Sequence, residues 1–274
     1  MTLFSVDSQT CRRDGSCAAV CPMKIIHFAE DGSPPWLGPD AEELCIACGH
    51  CVAVCPHGAL SHRKVPPDVC PPMGKDWPLS RNAVSALLRG RRSIRVFRER
   101  PVEPGLVEEL IALAAHAPSA HNMQPVRWLV VSGQERIQPI AGLVVAWMRS
   151  LIAAASPLAE TFHMARTVLQ WESGKDPIAR QAPCLVVAHA AKDARLAATA
   201  CTIALTYLEL AAPSHGLGAC WAGYINTAAN LSPPLLQALD LPEEHLSYGV
   251  MMLGYPKYTY HRIPKRKAPS IIWR

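Results

Sequence analysis

The chain has 274 residues, half of them hydrophobic and only 18% charged, enough for one large or two smaller domains with buried cores and too apolar for a disordered chain. The formal net charge of +5 is unevenly divided: residues 1–79 carry 6 Lys/Arg against 9 Asp/Glu, and residues 80–274 carry 21 against 13. That division suggests two functional units. It excludes one continuous basic surface, and no nucleic-acid motif accompanies the basic part, so no nucleic-acid partner is expected. A membrane span needs roughly 18 consecutive apolar residues. The best candidate, Pro139–Met148, is stopped by Arg149, so it reads as a buried helix and no membrane partner is expected. Met1–Gln9 has no basic stretch followed by an apolar one, and a cytoplasmic location is the expectation.

Eleven cysteines are present, and seven of them crowd between residues 11 and 55. Without a secretory leader, a disulfide framework is a poorer reading than metal or cluster ligation. The run Cys45-Ile-Ala-Cys48-Gly-His-Cys51-Val-Ala-Val-Cys55-Pro56 fills every position of C-x2-C-x2-C-x3-C-P. Three thiolates at two-residue gaps wrap one face of a cubane cluster, while the fourth points towards a second cluster. Zinc would ask for two C-x2-C pairs set well apart. An earlier run, Cys11-Arg-Arg-Asp14-Gly-Ser-Cys17-Ala-Ala-Val-Cys21-Pro22, repeats the frame with Asp14 where the second cysteine belongs.

Two such runs in tandem resemble a bacterial two-cluster ferredoxin module over about residues 10–62. The resemblance implies crossed ligation: one 4Fe-4S cluster on Cys45, Cys48, Cys51 and Cys21, the other on Cys11, Cys17 and Cys55 with Asp14. Four readings of the Asp14 site stay open: a carboxylate on the fourth iron of a 4Fe-4S cluster, a 3Fe-4S cluster, substitution by Cys70, or a decayed site beside a solvated Asp14. An oxygen ligand holds iron less firmly than a thiolate, so this is expected to be the more labile site. His27, His50, His57 and His62 are assigned no role.

Pro66, Pro67, Pro71, Pro72, Gly74 and Pro78 favour extended chain and disfavour a helix. Residues 65–79 are therefore expected to link an iron–sulfur domain of residues 1–64 to a second domain of residues 80–274. Ser80 offers an N-cap to a helix over Arg81–Arg89, with Ala83, Val84, Leu87 and Leu88 along one face. Next comes Gly90-Arg91-Arg92-Ser93-Ile94-Arg95-Val96-Phe97, which reads equally as a phosphate cradle or a solvated basic turn. A helix is expected over Pro104–Ala117, then the turn Pro118-Ser119-Ala120-His121-Asn122-Met123-Gln124-Pro125, then a strand over Trp128–Ser132. A longer helix is expected from near Asp193, cut short by Pro213.

R-R-S-x-R-x-F followed by A-P-S-x-x-N-x-Q-P resembles the FMN-dependent nitroreductase family. Gly216-Leu-Gly-Ala-Cys-Trp221, Gly254-Tyr-Pro256 and the basic tail through Arg266 and Lys267 agree in order. The resemblance implies an α+β fold, a mixed sheet flanked by helices, with FMN at the interface of a homodimer. It places Arg91, Arg92, Ser93 and Arg95 on the FMN phosphate, ribityl chain or ring. Asn122, beside Pro118 and Ser119, falls on the isoalloxazine. Gly218, Cys220, Trp221 and Gly223 lie along the ring, and Arg266 and Lys267 reach the phosphate. Val126 departs from the family, which has an aromatic directly after Gln-Pro. Gly216–Trp221 is no dinucleotide fingerprint, because tryptophan stands where the last glycine belongs.

Cys184 and Cys201 read as core residues. Residues 135–180, with Trp147, Met148, Phe162, Met164 and Trp171, read as core or dimer packing, or as the wall above the flavin. No acid–base side chain stands out, so no catalytic residue is assigned. Joined, the two halves suggest an oxidoreductase that passes electrons through iron–sulfur clusters to FMN and on to a nitroaromatic, quinone-like or other conjugated acceptor. The donor is left between a ferredoxin and NAD(P)H, and the alternative is a redox sensor or electron carrier without a substrate of its own.

Overall fold

The computed structural model describes residues 2–29, 31–74 and 77–274; Lys75 and Asp76 of the Pro-rich segment lie outside the described residues. The chain forms two compact units: Met1–Leu79 with His121–Met123, and Ser80–Ala120 with Gln124–Arg274.

The first unit comprises β1 (Phe4–Val6), α1 (Ser16–Ala19), β2 (Ile26–His27), β3 (Trp36–Leu37), α2 (Ala41–Leu44), α3 (His50–Val54) and β4 (Leu60–His62). β1 pairs antiparallel with β4, and β2 with β3. The repeat seen in the cysteine runs recurs in the backbone. Arg13 and Ala47 both have positive φ, and Gly15 and Gly49, each at φ 71°, cap α1 and α3. Glycine suits that left-handed turn because it has no Cβ to clash. Leu3, Phe4, Ile25, Ile26, Val52 and Leu60 form a small core with Cys17 and Cys21. Within the Pro-rich segment, Pro67–Val69 makes one 3-10 turn, which a proline at its first position permits.

The second unit continues with α4 (Arg81–Gly90), α5 (Pro104–Ala114), β5 (Arg127–Ser132), α6 (Gln134–Ala153), α7 (Pro157–Thr161), α8 (Met164–Glu172) and β6 (Cys184–Ala191). It is completed by α9 (Ala197–Ala211), β7 (Gly218–Trp221), α10 (Gly223–Ala229), α11 (Pro233–Leu239) and β8 (His245–Gly254). Ser80 caps α4, its Oγ accepting from Ala83 N at 3.1 Å. α5 stops at Ala114, short of the expected Ala117: the amides of His116 and Ala117 donate three residues back, to Leu113 O and Ala114 O, so the chain tightens into turns ahead of Pro118. α9 starts after Leu196, whose φ of 57° breaks the helix, and it gives way to a 3-10 turn at Ala212–His215 around Pro213.

The strands form a sheet in the order β5-β6-β8-β7. The α+β class expected from the sequence is the one found, but every pair among the described strands of this sheet is antiparallel, where a mixed sheet was expected. The helical excursion after β5 re-enters at the same end, with Ser132 opposite Cys184; a parallel pair would require crossing to the other end. Helices cover both faces. Leu185 and Val187 of β6 pack among residues of α6, α8, α10 and α11, and Cys184, Val186 and Ala188 pack among residues of α5 and α9. Burial on both sides goes with the unbroken apolar run Cys184–Ala188 that opens β6. Among the described residues, no helix is long and apolar enough to cross a membrane.

Candidate functional site

In the first unit the cysteines wall two cavities. Cys21, Cys45, Cys48 and Cys51 line one, together with Ile25, Ile26 and His62. Cys11, Cys17, Cys55 and Asp14 line another, with Arg12, Arg13 and His57. Each cavity therefore draws cysteines from both runs. Among the described residues, no three Cys, His, Asp or Glu side chains converge on a point where a single ion could sit; the sulfurs stand around a volume instead. Burial raises the pKa of Cys17 and pushes Cys51 up to about 11. Thiolates there are costly alone and would be stabilised by a bound metal.

Asp14 is exposed. Its Oδ1 accepts from Ser16 N at 3.0 Å, and that hydrogen bond holds its pKa below the ordinary carboxylate value. The Sγ of Cys55 accepts from Ala59 N at 3.4 Å. His62, to which the sequence assigned no role, is buried on a cavity wall with Nε2 3.4 Å from Cys45 Sγ. The inward alternation of Leu60 and His62 along β4 was the signal for it. Asn122 groups with this unit, its Nδ2 donating to the carbonyls of Ile46 and Ala47 at 3.2 and 3.0 Å.

In the second unit, residues 91–95 run along the end of β7, with Ile94 N donating to Ala219 O at 2.9 Å. Gly218 makes this approach possible, since a Cβ there would lie 2.3 Å from Ile94. Arg91, Arg92, Glu209, Gly218 and Tyr258 are among the residues lining an open cleft of about 1010 Å³. Arg91 donates to Glu209 Oε1 at 2.7 Å. Glu209 is only 7% exposed and lies one helical turn beyond Leu205, so its position on the buried face of an apolar helix was legible as an anomaly. Ser93 lies 3.5 Å from Arg91 Nη1, and its carbonyl accepts from Arg95.

Pro118 and Ser119 border a second cleft, of about 580 Å³, and Ser119 Oγ accepts from Gln124 N at 2.9 Å. Trp221 is half-buried and Gly223 exposed. Cys220 is buried in the core, and burial raises its pKa. Cys184 and Cys201 are core residues, with pKa values pushed up to about 12 and about 11 by burial. Arg266 and Lys267 sit in an exposed tail.

The family model described as the nitroreductase family matches residues 88–255, and that of the 4Fe-4S dicluster domain matches residues 9–60. An "NADH dehydrogenase" of Thermus thermophilus is 31% identical over 212 residues, covering 70% of this chain and 96% of that protein. A "Ferredoxin 7Fe" of Hydrogenibacillus schlegelii is 43% identical over 56 residues, 20% of this chain and 65% of that protein. A nitroreductase with bound FMN from Bacteroides fragilis shares the fold at a TM-score of 0.57 and 21% identity, covering 69% of this chain and 98% of that one. The chain is an oxidoreductase of the nitroreductase family, with a 4Fe-4S dicluster domain at its N-terminus.

Proposed function

We propose that this chain is a cytoplasmic FMN-dependent reductase that takes up electrons through its N-terminal clusters and delivers them to a nitroaromatic, quinone-like or other conjugated acceptor. The observation that carries this reading is the pair of cysteine-walled cavities on the same chain as a nitroreductase domain. When bound, flavin exchanges one or two electrons and iron–sulfur clusters exchange one, which is the chemistry that side chains lack.

Cys21, Cys45, Cys48 and Cys51 would hold a 4Fe-4S cluster. Cys11, Cys17 and Cys55 would hold a 3Fe-4S cluster. The similarity to a 7Fe ferredoxin supports the second assignment, as does the engagement of Asp14 with the backbone of Ser16. Replacing Asp14 with Cys is then expected to add one iron per chain and change that cluster's EPR signal; unchanged iron and spectrum would refute the assignment.

The cleft fits an anionic phosphate: two guanidinium groups line it, and Glu209 holds one of them in place. Arg91, Arg92 and Ser93 would bind the phosphate, with Arg266 and Lys267 from the tail. Arg95 would stabilise negative charge on the reduced ring. Pro118, Ser119 and the stretch through Gly218, Cys220, Trp221 and Gly223 would orient the ring. A second copy of the chain is the proposed cover for α4, which buries no residue, and for the tail, where Ile272 and Trp273 are 81% and 89% exposed.

The test is an anaerobic visible spectrum of the purified chain before and after NADPH. Bleaching of overlapping flavin and cluster bands assigns NAD(P)H as donor, and bands unmoved by NADPH assign a ferredoxin. Absence of the bands after anaerobic reconstitution overturns the reading. Saturable kinetics with an acceptor separate a reductase from a carrier.

A further inference from the structure

We infer that His62 donates a hydrogen bond from Nε2–H to the thiolate of Cys45 and thereby raises the reduction potential of the cluster on Cys21, Cys45, Cys48 and Cys51. The inference rests on the ligation proposed above and goes beyond it by assigning a side chain that tunes one of the two clusters.

The direction of the hydrogen bond follows from the backbone. Strand β4 alternates, with Leu60 and His62 turned inward and Ser61 outward, and His62 is 4% exposed. The backbone N–H of Lys64 lies 3.1 Å from His62 Nδ1. A backbone amide can only donate, so Nδ1 presents its lone pair and the proton of the neutral ring sits on Nε2. That nitrogen is 3.4 Å from Cys45 Sγ, and both groups line the same cavity.

One-electron reduction adds negative charge that the thiolates share. A fixed N–H dipole aimed at one of them stabilises the added charge, and a buried site screens that effect poorly. The internal repeat supplies a comparison. Aligning Cys11 with Cys45 and Cys17 with Cys51 brings Phe28 into register with His62. Phe28 packs over Gly15, 3.3 Å from where a Cβ would stand, and has no proton to donate. In the other cavity the donor to a sulfur is the main chain, Ala59 N to Cys55, which substitution leaves in place.

The test is an EPR-monitored redox titration with dithionite on the full-length, cluster-loaded chain, comparing wild type with H62Q and H62M. Gln keeps an N–H donor, and Met has a similar volume with none. The expected result is a more negative midpoint for this cluster in H62M, a midpoint near wild type in H62Q, and the other cluster unmoved in both. Coincident midpoints in wild type and H62M would overturn the inference. A second measurement needs no variant: pulsed EPR of dithionite-reduced wild-type protein labelled with 15N-histidine is expected to show a coupled ring nitrogen and an exchangeable proton. Their absence from an intact cluster signal overturns the inference even where H62M fails to fold. A wild-type chain whose iron and sulfide analysis shows no such cluster overturns the proposed ligation itself, which separates the two failures.

Discussion

The two units are stabilised by different means. The large side chains buried to under 2% exposure, from Leu110 through Met251, all belong to the second unit among the described residues. There a sheet is packed on both faces by helices, and burial of that apolar area is sufficient to hold a fold. The first unit has strands of two or three residues and a core of a few aliphatic side chains with two cysteines. A core this small falls short of what an independent domain needs, a deficit that bound clusters would make up. The second unit is thus held by its own apolar core, whereas the first has too little core of its own.

The sharpest way to break this comparison is to remove the iron. Anaerobic chelation of the full chain is expected to abolish hydrogen-exchange protection across β1 and β4 while the amides of β5 to β8 stay protected; protection retained in the first unit would refute the contrast. Next in size is Leu205→Ala, which empties a fully buried site between α9 and the sheet. It is expected to cost about 2–5 kcal/mol in the unfolding of the second unit, with the iron content of the first unchanged.

Glu209→Ala removes the acceptor that holds Arg91. A hydrogen bond between charged groups contributes about 1.5–3 kcal/mol, so FMN affinity measured by fluorescence is expected to fall by roughly tenfold or more. An unchanged affinity would show that Arg91 needs no such support.

The smallest effect concerns His189, whose Nδ1 lies 2.8 Å from Nδ1 of His245. Burial, then the nearby His245 and Arg127, lower its pKa. The unfolded imidazole, near about 6.5, therefore protonates first as pH falls. Stability is full above that value and is lost as pH falls through the lowered folded pKa. The second-unit Tm is expected to drop by roughly a few degrees between about pH 8 and 5, and His189→Asn to flatten that slope.

Much of the fold was legible because its signals are local. Ser80 as a cap, Pro104 at a helix start and the apolar run of β6 act over a few residues, so spacing alone reports them. The antiparallel character of the sheet was not legible, since it depends on where three intervening helices return the chain to β6. The first turn of α9 was misplaced for a related reason: a left-handed Leu196 is imposed by its surroundings and carries no composition signal of its own.

What the sequence by itself determined is the set of side chains available: a cysteine frame spaced for clusters, a break of that frame at Asp14, and an arginine-rich turn after the first helix of the second unit. Ligand spacing is a covalent property of a short segment, and folding does not alter it. Only the tertiary structure decided which groups meet. Cys21 shares a cavity with Cys45, Cys48 and Cys51. Arg91 finds Glu209 across 118 residues, and His62 turns its Nε2 to Cys45. Such pairings are set by strand alternation and by the helix faces that burial selects, and these take effect only once the apolar surfaces have closed on one another.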